Sequence, residues 1–151
     1  MTKKEVSELF SVIMTAWPHA EMCKATEDDL NRMITLWKTC LNDIDFWIAQ
    51  QALLRLCQKL KFAPTIADLR TEAEAVRGEV EATARFYWDM YYMLGKEEYI
   101  AVFDSPTSGE AVKALTAANG DWYQFRDAYF VLVQRNHALL QSTTKNQRRL
   151  T

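Results

Sequence analysis

Little in this 151-residue chain breaks a helix or staples a fold: it has four glycines, three prolines and three cysteines. So few turn formers, with β-branched runs nearly absent, favour helices over strands. The three cysteines are odd in number, lie in apolar helical patterns and follow no signal peptide. Cys23, Cys40 and Cys57 therefore read as reduced, buried thiols of a cytoplasmic protein rather than a disulfide framework. No Cys-x2-Cys spacing exists, and the pair His19 and Cys23 has no second pair to complete a metal site. His19 and His137 are the only histidines, so a catalytic triad is not expected. There is no glycine-rich phosphate loop and hence no nucleotide motif. No run of 18 apolar residues occurs, which excludes a membrane-spanning helix.

What remains is a helix-forming chain with a large apolar reserve. It is 49% hydrophobic and holds five tryptophans, which supports a packed core and argues against disorder. A chain of this length buries roughly 70% of its unfolded surface, in one domain or two subdomains. Thr2-x2-Glu5 is a capping box, and Val6, Leu9, Phe10, Ile13 and Trp17 recur at helical spacing; a first helix over Lys3 to Ala16 follows, stopped by Pro18. Thr26 caps a second helix with Leu30, Met33, Ile34, Trp37 and Leu41 inside. Asp43 or Asp45 opens a third, with Trp47, Ile48, Leu54, Cys57 and Leu60 as its inner face. Pro64 forbids helix at Ala63, Thr65 is a good N-cap, and Asp68 can answer it, so a fourth helix starts at Ile66.

The fourth helix is the long one. Ile66, Ala73, Val80, Tyr87 and Leu94 fall seven apart, with Leu69, Val76, Thr83 and Met90 between them, a heptad pattern that suits either an intramolecular spine or a dimer seam. Gly78 is its weak point. Beyond Gly95 a short helix holds Tyr99, Ile100 and Phe103. Another begins at Ser105-Pro106, carries Ala111, Val112, Leu115 and Ala118, and ends at Asn119-Gly120. Asp121 caps the last helix, with Trp122, Phe125, Tyr129, Leu132, Val133 and Leu140 inside. The reading is all-α: a three-helix unit over residues 1–70, a C-terminal helical unit over 71–141 that takes in most of the long fourth helix, and a flexible basic tail over 142–151.

Several of these residues form a recognisable series. Trp17-Pro18 closes helix one, Trp37-x3-Leu41-x-Asp43-x2-Phe46 follows, and the turn reads Phe62-x-Pro64-Thr65-Ile66-x-Asp68-Leu69. From about Thr2 to Arg70 this resembles the N-terminal domain of the phage helicase loader and inhibitor family. Its motif residues are mostly structural and mark no active site. The resemblance implies an adaptor that binds a replicative hexameric helicase, restrains it and delivers it to an initiator, by stoichiometric binding and without a cofactor. In that family the domain is followed by a largely flexible region that contacts the helicase, whereas residues 73–151 here are rich in Trp, Tyr, Phe and Leu and read as folded.

No chemistry competes with that reading. Glu5-x2-Glu8 is a carboxylate pair, but no Glu has Asp three residues later, so the magnesium constellation of small helical pyrophosphatases is incomplete. Among the aromatics Phe86, Tyr87, Trp88, Tyr91 and Tyr92, the spacing of four suits either a core packed from two sides or a docking face centred on Trp88 and Tyr92. Net charge is −2, yet residues 121–151 hold five basic and two acidic side chains, and no acid follows Asp127. Arg135, Lys145, Arg148 and Arg149 are thus candidates for an acidic partner surface, or simply a solvated terminus; direct nucleic-acid binding through them would be weak. Two other classes stay open: a phage structural or assembly protein that oligomerises through its helices, and a nucleic-acid-binding regulator. The mildly acidic balance and the lack of a basic recognition helix count against the second.

Overall fold

The computed structural model describes the backbone of residues 1–103 and 106–149, and the side chains of 1–103 and 109–138. Among the described residues there are seven α-helices and no strand: α1 (Lys3–Ala16), α2 (Glu27–Cys40), α3 (Phe46–Lys59), α4 (Ile66–Leu94), α5 (Lys96–Val102), α6 (Pro106–Ala118) and α7 (Trp122–Arg149). The chain divides into two compact units, Met1–Arg77 and Gly78–Thr151.

In the first unit α1 packs on α2 and α3. The capping box forms as the sequence requires: the Glu5 amide donates to Thr2 Oγ1 at 3.2 Å and the Thr2 amide donates to Glu5 Oε2 at 2.6 Å. Val6, Leu9, Phe10 and Ile13 bury the inner face of α1, and Phe10 meets Trp37 of α2 edge to face at 5.0 Å. Thr26 caps α2 through the Asp29 amide. Thr65 and Asp68 cap α4 reciprocally, the Asp68 amide donating to Thr65 Oγ1 at 3.2 Å and the Thr65 amide to Asp68 Oδ2 at 2.8 Å. The Thr65 amide, with the Thr65 hydroxyl donating to the same oxygen at 2.7 Å, holds the Asp68 carboxyl below its ordinary pKa.

The inner face of α3 differs from the expected one. Ala49, Ala52, Leu53 and Leu56 are buried with Trp47 and Ile48, whereas Leu54 is 51% exposed and Cys57 and Leu60 are half-buried. Two alanines centre the contact and let the neighbouring helices approach; Leu54 lies a further 100° round the helix from Leu53. Burying Leu53 and Leu56 contributes roughly 1.5–3 kcal/mol each. The cysteines are also corrected: all three are free, but each is half-buried rather than buried. Cys23 lies in a short 3₁₀ turn (Glu21–Lys24) rather than an α-helix, and donates its thiol to the Trp17 carbonyl at 3.5 Å.

Helix α4 contributes to both units. Leu69, Ala73 and Val76 are buried in the first. In the second the buried side continues through Val80, Ala84, Tyr87, Trp88 and Tyr91, while Thr83, placed on the heptad face by its spacing, is exposed. Within the second unit the contact therefore follows the 3.6-residue period of an α-helix rather than a strict seven. The second unit closes around Tyr99, Val112, Leu115, Ala118, Phe125 and Tyr129. Asn119 (φ 47°) and Gly120 (φ 86°) take the left-handed conformation that ends α6. Asp121 Oδ1 then accepts from the Tyr123 and Gln124 amides at 2.9 and 3.2 Å, starting α7. Leu140, expected on the inner side of α7, has its side chain outside the described residues.

Candidate functional site

The residues of the helix-two motif work at one joint of the first unit. Trp37 and Leu41 are buried, and Phe46 opens α3 half-buried. Asp43, in the α2–α3 turn, accepts both terminal nitrogens of Arg70 on α4 at 2.8 and 2.9 Å. Arg70 also donates to the Cys40 carbonyl, and Arg77 to the Asp43 carbonyl at 3.2 Å. The Arg70 hydrogen bonds hold the Asp43 carboxyl down to about 2. Sequence reasoning found Asp43 but not its arginines, which lie 27 and 34 residues away.

The aromatic-Pro and turn motifs do something different. Trp17, Pro18, Phe62 and Pro64 line one open groove of about 700 Å³, together with Met22, Met33, Ala16, Ala20 and Ala63, and with His19, Glu21 and Lys61 as its polar members. Its floor is fixed. Trp17 is 9% exposed and its indole donates to the Leu60 carbonyl at 3.4 Å, and Pro64 is buried. Its lip stands in solvent: Phe62 is 75% exposed, with the Lys61 ammonium 5.7 Å from its ring centre. Volume and lining suit a binding cleft. Met33, expected inside by its spacing on α2, is half-buried and lines the groove, and no sequence signal indicated Met22 or Glu21, because the groove joins three segments distant in the chain.

The partner residues expected in the second unit are dispersed. Trp88 is half-buried and packs on Tyr92, Trp122 and Phe125, with ring centres at 4.6, 5.6 and 5.7 Å, so most of its surface serves the core. Tyr87 and Tyr91 turn inward likewise, while Phe86 and Tyr92 each stay 51% exposed. Arg135 is paired to Glu110 of α6 at 2.7 Å. The side chains of Lys145, Arg148 and Arg149 lie outside the described residues, although the helix backbone continues to Arg149. Among the described residues no group of three or more His, Cys, Asp and Glu is placed to hold a metal ion. Nor is any helix among them long and apolar enough to cross a membrane.

Residues 1–70, a little under half of the chain, match the family model for the N-terminal domain of the phage helicase loader and inhibitor gp39P. The resemblance drawn from Trp17-Pro18, Trp37 to Phe46 and the Phe62–Leu69 turn thus holds over the stretch that carries it. No curated protein matches the chain, and no solved structure does.

Proposed function

We propose that this chain is a non-enzymatic adaptor of phage DNA replication, acting in the cytoplasm of the bacterial host. It binds a replicative hexameric helicase, restrains it, and helps to load it by handing it to an initiator. The observation that carries this reading is the match of residues 1–70 to the gp39P N-terminal domain. The structure adds support: residues of two of its motifs, Trp17, Pro18, Phe62 and Pro64, are spent on an open apolar groove. The mechanism is occupancy: the adaptor covers part of the helicase until the initiator displaces it, and no bond is made or broken. The last helix and its basic end (Arg135, Lys145, Arg148, Arg149), with Trp88 and Tyr92, supply a further contact of mixed apolar and charged character.

The test is size-exclusion chromatography of the purified chain with a purified hexameric replicative helicase. The chain should elute small alone and co-elute with the hexamer when mixed, and helicase unwinding should fall in proportion to occupancy. A chain that forms a large assembly alone and captures no replicative helicase belongs instead with phage assembly proteins.

A further inference from the structure

We draw no further inference here: the strongest candidate, the surface patch of the second unit where Arg85 of α4 stacks on Trp122 and Arg126 of α7 on Tyr123, has both guanidiniums already paired, to Asp89 and Asp127, and nothing in the structure shows what covers it.

Discussion

Asp43 is held by two hydrogen bonds from one guanidinium, and that geometry sets how the first unit responds to acid. Its carboxyl is lowered from 3.8 to about 2 by Arg70, so the folded chain keeps it ionised where the unfolded chain protonates it. The resulting stability is complete above about pH 4 and is lost as pH falls through about 2. Asp68, lowered by Thr65, contributes in the same direction. Denaturant midpoints should therefore fall between pH 4 and pH 2, and Asp43→Asn should flatten that limb while lowering stability at neutral pH. The opposite limb belongs to Tyr99 and Tyr129, whose hydroxyls are pushed from 10.0 up to about 12, chiefly by burial. Both stay neutral in the folded chain at pH 11 while the unfolded chain ionises, so stability is intact below pH 10 and lost as pH rises through about 12, by on the order of 2 kcal/mol for each group. The Tyr99 hydroxyl is buried without a hydrogen-bond partner among the described residues. Tyr99→Phe should accordingly leave stability at pH 7 unchanged or raise it by about 1 kcal/mol, and halve the alkaline loss measured by the same titration.

Among the elements, the caps decide most. Replacing Thr65 with Ala removes the acceptor for the Asp68 amide and should cost about 1 kcal/mol in denaturant unfolding. A variant as stable as wild type means the cap contributes nothing. Such caps were legible in the sequence because each needs only residues three apart: Thr2 with Glu5, Thr26 with Asp29, Thr65 with Asp68. The helix stops at Trp17-Pro18 and Asn119-Gly120 were legible because each is written in two adjacent residues. The face of α3 was not, since Ala49 and Ala52 are too small to announce a contact that depends on what approaches them. The groove was less legible still. Trp17, Pro18, Phe62 and Pro64 could be named from their series, but that they share a cavity with Met22 and Met33 depends on how three segments meet.

At the scale of the whole molecule, charge and apolar surface are separated along the chain: the exposed groove lies in residues 1–77, the acid-free stretch after Asp127. Deleting residues 142–151 should leave the fold intact, with helical circular dichroism falling only by the share of α7 that is removed, because that segment holds one large apolar residue, Leu150. On the proposed adaptor reading, helicase affinity should drop at low salt and converge with that of the full chain at high salt, as an electrostatic contact requires. Equal affinity at both salts removes the tail from the interface. Gly78 has a consequence of another kind. It is exposed, nothing lies within 4 Å of where its Cβ would stand, and the two compact units meet in sequence at its peptide bond with Arg77. A glycine in a helix interior loosens its turn by about 1 kcal/mol relative to alanine. Backbone amides on either side of it should exchange with deuterium faster than those near Ala73 or Ala84, and Gly78→Ala should slow them. The long helix would then open at its middle before either end of it is released, so that each unit melts as its own cooperative block.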